Sequence, residues 1–144
     1  MNPLPSKLPW TPYVDGNDIV VTNIAATCFG GKYDTGDNGE TESGVKNDGS
    51  DPNLMGCALP FKGPHIPWKT PVMVWKISEG EQSALKCLLI DNGPRVSDYP
   101  THALDLNPNA VLHFSPQWNP KTVANTWAQS GFCYRIIGGA QWVS

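Results

Sequence analysis

Apolar and β-branched residues are concentrated in four runs, separated by stretches rich in glycine, proline and polar residues. The runs cover residues 18–29, 71–77, 84–90 and 131–139. Runs of this length, rich in Val, Ile and aromatic side chains and bounded by turn residues, are typical of β-strands. Residues 77–84, between the second and third runs, have a composition typical of a turn. We therefore expect those two strands to form a hairpin.

Two segments carry the start signals of short helices. Residues 107–115 and 119–131 each begin with Asn-Pro, which offers an N-cap followed by proline at the first helical position. Gly131 is a stop signal for the second segment. Because no long helices alternate with the strands, the pattern predicts an all-β fold, a small β-barrel with short helical insertions.

The chain of 144 residues is long enough for one domain with a core of its own. We expect residues 1–17 to be a Pro-rich N-terminal extension and residues 18–144 to be the single barrel domain. The polar, glycine-rich stretch 30–56 is predicted to be a long loop. Loops of that length are often functional.

Charge and hydropathy narrow the range of partners. The net charge of −3 and the lack of a basic run with interleaved aromatics do not favour nucleic acid. No apolar stretch is long enough to cross a bilayer, so no membrane span is predicted. We expect a monomer without a cofactor. The N-terminus lacks the apolar core of a signal peptide, so an exported protein would have lost its signal.

The cysteines are Cys28, Cys57, Cys87 and Cys133, and no two form a CxxC pair. Structural zinc sites usually need such closely spaced ligands, so no metal site is predicted. An even number of cysteines in a loop-rich chain predicts one or two disulfides, with three connectivities if all four pair. Disulfides imply an oxidising, extracellular or periplasmic compartment. The alternative is buried free thiols.

Two acids lie beside apolar residues, where burial of a charged carboxylate is energetically unfavourable. Asp91 follows an apolar run directly and precedes Asn-Gly-Pro, and Asp105 lies between Leu104 and Leu106. Acids in apolar segments are usually hydrogen-bonded or functional. The structural alternative is that Asp91 caps a turn and that Asp105 serves the following helix N-terminus.

Five short motifs follow one another along the chain. They are ATCFGG (26–31), TESG (41–44), GCALP (56–60), IDNGP (90–94) and ALDLNPNAV (103–111). The series, over about residues 24–112, resembles the RlpA-like family, named after rare lipoprotein A, in which the pattern runs WYG, TASGE, AAHxxLP, DRGP and IDLSxxAA. The resemblance implies a six-stranded double-psi β-barrel. Expansins, family-45 endoglucanases, membrane-bound lytic transglycosylase A and barwin-like proteins share that barrel, and most act on or bind polysaccharide.

The resemblance implies roles for the two acids and also shows departures. Asp91 matches the acid of DRGP, and Asp105 matches the acid of IDLS, the proton donor in related enzymes. The family Glu after TASG is replaced by Val45, and the His of AAH by Gly56. The base of the endoglucanases falls on Gly31. Asp105 and Asp91 are therefore the predicted catalytic residues.

Further residues are predicted to bind the polysaccharide. Tryptophans in Pro-flanked loops offer platforms for sugar stacking, although core packing is their alternative role. A histidine three residues before Asp105 lies near the place of the expansin His, and an acid in TESG lies near the place of the missing Glu. The predicted substrate-binding residues are Trp10, Trp68, Trp118, Tyr33, His102 and Glu42.

The resemblance implies a secreted, periplasmic or cell-wall-associated protein that acts on cell-wall polysaccharide. Peptidoglycan cleavage by a lytic transglycosylase needs one acid, because the sugar's own 6-hydroxyl is the nucleophile. We expect burial between the leucines to raise the pKa of Asp105 for that role. A non-catalytic expansin-like or barwin-like module is the alternative, and a glucan hydrolase is a third interpretation.

Overall fold

The computed structural model describes residues 1–6, 8–34, 36–60, 66–94, 100–122 and 126–143. Within these residues the chain forms eight strands and one α-helix, with short 3-10 turns at Glu81–Ser83 and Gly139–Trp142. In chain order the elements are β1 (Asn2–Pro3), β2 (Tyr13–Asp15), β3 (Asp18–Cys28), β4 (Gly56–Leu59), β5 (Pro71–Lys76), β6 (Leu85–Asn92), β7 (His102–Leu106), α1 (Pro108–Phe114) and β8 (Ala128–Ile136).

Six of the strands close into a barrel. Their order is β3-β7-β4-β6-β5-β8, and β8 pairs back onto β3. The β3–β7 and β4–β6 pairs are parallel, and the other four are antiparallel. The predicted all-β fold with a six-stranded barrel is confirmed.

The N-terminal segment adds two short strands to this barrel. The first residues of β3 pair with β2, which pairs in turn with β1. The last residues of β3 pair with β7. One long strand can thus serve two neighbours along one edge while β8 pairs along the other.

The four predicted strands and the β5–β6 hairpin are confirmed. The first predicted helix is also confirmed as α1, where the Asn107 side chain accepts a hydrogen bond from the Ala110 amide as an N-cap. The second predicted helix, over 119–131, is wrong at both described ends. Asn119 starts a turn by accepting a hydrogen bond from the Lys121 amide, and β8 begins at Ala128.

Tertiary pairing explains that error. From Ala128 onwards β8 pairs with β3, and it also pairs with β5 further along. Hydrogen bonds along both edges of a central strand outweigh a local helix start signal. Residues 123–125 lie outside the described residues.

The predicted disulfides are wrong, because all four cysteines are free. Each thiol is buried on a strand, and the cross-strand neighbours of these cysteines are other residues. Cys57 faces Leu89 and Leu106, Cys87 faces Val72, Cys133 faces Trp75, and Cys28 faces Leu106. Burial raises the pKa of the Cys28 and Cys87 thiols to about 12, which makes both poor nucleophiles.

Arg135 on β8 ties three separate segments together. Its guanidinium Nη1 lies 3.0 Å from Asp15 Oδ2 and 3.3 Å from Asp18 Oδ2, and its Nε lies 2.5 Å from Glu81 Oε1. These acids belong to β2, β3 and the turn before β6. The cluster therefore links β8 to the N-terminal segment, to the start of β3 and to the turn between β5 and β6.

We expect Arg135→Gln to lower the free energy of unfolding by about 1 kcal/mol, because it leaves three acids side by side without their cation. Two of the acids are close to half exposed, so the effect should shrink in high salt. Urea denaturation at low and high salt measures it. Lys86→Gln, which removes an exposed charge on β6, is the control. An unchanged urea midpoint at low salt would contradict the structural role of the cluster.

No helix within the described residues is long and apolar enough to cross a membrane.

Candidate functional site

The two acids of interest belong to one row of residues across four neighbouring strands. Asp105 on β7 lies opposite Thr27 of β3 and opposite Ala58 of β4, and Ala58 lies opposite Asp91 of β6. Residues in register on paired strands point to the same face of a sheet. Both carboxylates are therefore on one face, with the small Ala58 between them. We call Thr27, Asp105, Ala58 and Asp91 the acid row.

The acid row lies on the outer face of the barrel. Leu104 and Leu106 are fully buried in the core, and side chains alternate along a strand. Asp105 between them therefore points away from the core. The leucines themselves therefore do not cover Asp105, and a described residue that lies against its carboxylate is Gly93, in the loop that begins after β6.

Gly93 lets that loop approach Asp105 closely. A Cβ atom at Gly93 would lie 3.2 Å from Asp105 Oδ2, and the residue has a positive φ of 144°. Its amide donates a hydrogen bond to the Leu59 carbonyl at 3.2 Å, which fixes the loop over β4. A glycine suits this position because a residue with a side chain would be strained at this φ, and its Cβ atom would press against the carboxylate.

The environment of Asp105 keeps its proton into the weakly acidic range. Burial raises the pKa of Asp105 to about 6, and the charge of Asp91 contributes to the rise. The hydrogen bond that Thr27 Oγ1 donates to Asp105 Oδ1 acts in the opposite direction. A carboxyl group with such a pKa can both give and take a proton near neutral pH.

Asp91 is held by the loop that contains TESG. Its Oδ1 accepts hydrogen bonds from the Glu42 amide at 3.2 Å and from the Asn92 amide at 2.9 Å. The Asn92 side chain donates to Glu42 Oε2 at 2.5 Å, and the Ser43 amide donates to the Ile90 carbonyl at 3.2 Å. The loop thus brings the predicted residue Glu42 beside the acid row.

The pKa of Asp91 is also raised. Burial is the main cause, and the charges of Glu42 and Asp37 add to it. The two backbone hydrogen bonds lower the pKa and partly offset the rise. Negative charge at this end of the barrel therefore raises the pKa of both Asp91 and Asp105, in addition to the larger effect of burial.

Two of the predicted substrate-binding residues, both aromatic, line the same cavity. Tyr33 and Trp118 both line a cavity of about 210 Å³ beside Gly30 and Pro108. The cavity lies near the acid row, since its lining residues Gly30 and Asn107 follow Thr27 and Asp105 closely along the chain.

The structure places the other predicted binding residues elsewhere. Trp10 and Trp68 are partly buried and pack against the hydrophobic core. The Trp10 side chain approaches Tyr134 closely enough to oppose the rise in the pKa of Tyr134 that burial causes. His102 is at the start of β7, opposite Ala25 and about 10 Å along the strand from Asp105.

Three residues of the site were not identified as such from the sequence. Thr27 and Gly93 contact Asp105, and Ala58 separates the acids. All three lie within the quoted motifs at 26–31, 56–60 and 90–94. The alternation of β3 would have placed Thr27 on an outer face, but strand register was needed to bring it to Asp105.

No group of three or more His, Cys, Asp or Glu residues in the described part of the chain could hold a metal ion.

Comparison with known proteins does not assign the chain to a family. No family model matches it, and no curated protein matches it. The five motifs and the geometry of the acid row are the grounds on which a function can be inferred.

Proposed function

We propose that this protein is a double-psi β-barrel enzyme that cleaves glycosidic bonds in cell-wall polysaccharide, with peptidoglycan as its substrate. The observation that carries the proposal is Asp105, a largely buried acid on an outer face with a pKa of about 6. The closed barrel of six strands with mixed pairing supports the double-psi assignment. A secreted or periplasmic location is part of the same proposal.

Asp105 acts first as an acid and then as a base. Its protonated carboxyl donates a proton to the glycosidic oxygen as the bond from C1 to that oxygen breaks. The 6-hydroxyl of the same sugar attacks C1 and closes a 1,6-anhydro ring. The carboxylate takes the hydroxyl proton, so Asp105 ends the cycle protonated again and no water is consumed.

The other members of the site support this acid. Burial and the charge of Asp91 raise the pKa of Asp105, which keeps its proton available in the weakly acidic range. Thr27 holds one carboxyl oxygen by its hydrogen bond, and the other oxygen lies against Gly93, where no side chain stands between it and a substrate.

Lytic cleavage is preferred to hydrolysis because the position of the endoglucanase base cannot carry a side chain. Gly31 occupies that position, and a Cβ atom there would lie 2.5 Å from Pro108 Cγ. An inverting hydrolase needs a separate base to activate water.

One observation favours the alternative, a non-catalytic glycan-binding module of expansin-like or barwin-like type. Gly56 occupies the position of the family His, and a Cβ atom there would lie 2.5 Å from Ile90 Cδ1. A histidine here would require the Ile90 side chain to shift, and the family Glu is Val45. This site therefore lacks two polar groups, a histidine and a glutamate, that the RlpA-like pattern contains.

Mass spectrometry of the soluble products from purified peptidoglycan separates these functions. We expect the wild-type protein to release fragments with 1,6-anhydromuramyl ends. Reducing ends would instead indicate hydrolysis. Binding to the insoluble material without release of fragments would replace the enzyme with the binding module.

A further inference from the structure

The cavity of about 210 Å³ beside the acid row has fixed walls. Asn109 Nδ2 donates hydrogen bonds to the Asp51 carbonyl at 3.2 Å and to the Leu54 carbonyl at 2.9 Å, and Asn107 Nδ2 donates to the same Leu54 carbonyl at 2.8 Å. The volume is smaller than the roughly 300–1,000 Å³ of sites that enclose drug-sized ligands. It suits a group of about the size of one sugar ring.

Aromatic side chains give this cavity the character of a sugar site. Tyr33 is 39% exposed and Trp118 is partly buried, and both belong to the lining. The Trp118 indole nitrogen is buried without a hydrogen-bond partner in the described part of the chain. Buried tryptophan N–H groups normally have an acceptor, so this nitrogen is a polar group that the described residues leave unsatisfied beside the cavity.

Two lysines of the lining can pair with an anionic ligand. Lys32 and Lys46 both line the cavity, whereas every ion pair of the described residues is made by Arg135. Lys32 Nζ lies 5.6 Å from the centre of the Tyr33 ring. The two ammonium groups are therefore available to a ligand.

The acids of the lining accept hydrogen bonds from backbone amides of their own loops. Asp34 accepts hydrogen bonds from the Gly30 amide at 2.9 Å and the Gly36 amide at 3.2 Å. Asp51 accepts one from the Asn53 amide at 2.9 Å. Backbone amides already stabilise these carboxylates, so their charge is partly offset, and the lysine ammonium groups are the charged groups left to pair with a ligand.

We infer that this cavity binds a sugar ring that bears a carboxylate, with Lys32 and Lys46 pairing with the carboxylate and with Tyr33 and Trp118 contacting the ring. The inference rests on the proposed function in one respect, that this ring belongs to the polysaccharide cleaved at Asp105. Two sugars supply the chemistry: a muramyl residue without a stem peptide, whose lactyl carboxylate is free, and a uronic acid.

Calorimetric titration on an Asp105→Asn background tests the inference without cleavage of the probe. The probes are the disaccharide of N-acetylglucosamine and N-acetylmuramic acid, digalacturonate, and neutral chitobiose. We expect at least one acidic probe to bind about 5-fold or more tightly than chitobiose at low salt. Lys32→Gln with Lys46→Gln should reduce that preference to less than about 2-fold, while the matched charge removal Lys86→Gln, outside the cavity, should keep it.

A preference for the muramyl probe identifies peptidoglycan as the source of the carboxylate, and a preference for digalacturonate identifies an acidic polysaccharide. Equal binding of chitobiose, no binding of any probe, or a preference that survives the double substitution overturns the inference. Thermal melting verifies that the variants fold. Carboxylate-dependent binding without any glycan cleavage by the wild type would overturn the proposed function alone, and cleavage with charge-independent binding would overturn the cavity inference alone.

Discussion

Asp105→Asn should reduce peptidoglycan cleavage by at least about 10²-fold while the protein stays folded. Asparagine has nearly the size of aspartate, and its side-chain oxygen can still accept the hydrogen bond from Thr27. It cannot transfer a proton, so both the protonation of the leaving oxygen and the uptake of the hydroxyl proton are lost. Release of anhydromuramyl fragments per unit time measures the effect.

Asp91→Asn is the companion variant. It removes the charge that helps to raise the pKa of Asp105 but leaves the acid itself in place. We expect a smaller loss of cleavage than for Asp105→Asn, together with a shift of the activity profile to lower pH. The double variant should be no worse than Asp105→Asn alone, because groups that act as a unit are not additive. Full activity in Asp105→Asn would refute the assignment of the acid.

Strand content was predictable because the apolar runs are long and bounded by turn residues. The runs at 71–77 and 84–90 became β5 and β6 with shifts of one or two residues at their ends. The segment 119–131 was misassigned because its Asn-Pro start is a local signal, whereas β8 is determined by pairing with distant strands. Local signals cannot report such pairing.

The acids of the site were predictable one by one, but their arrangement was not. Asp91 and Asp105 attract notice because each is set against apolar residues. Their alignment on either side of Ala58 depends on the register of β4 with β6 and β7, each more than ten residues away in sequence. The close approach of Gly93 to the Asp105 carboxylate likewise joins residues that are distant in sequence. The disulfide prediction failed for the same reason, because cysteine count says nothing about which strands face each other.

The stability of the protein should fall as pH rises from about 4 to about 8, and Asp105 should cause much of the fall. The pKa of Asp105 is about 6 in the folded protein, whereas an aspartate without these surroundings, as in the unfolded chain, has a pKa of 3.8. The folded state therefore holds this proton more tightly than the unfolded chain. Its stabilisation is fully present below the unfolded value and is lost as pH rises through the folded value. A shift of this size corresponds to about 2–3 kcal/mol, and the raised pKa of Asp91 acts in the same direction.

Asp105→Asn isolates this contribution, since asparagine is uncharged at every pH. Relative to wild type, the variant should be more stable by about 2 kcal/mol at pH 8 and nearly equal in stability at pH 4. Urea denaturation at both pH values gives the two differences, and Asp51→Asn, at an exposed acid, is a control that should show no such trend. A variant that is equally destabilised at both pH values would mean that the carboxylate of Asp105 is a structural hydrogen-bond acceptor. The acid row would then hold the loops on the barrel, and the binding module would be the better description of the site.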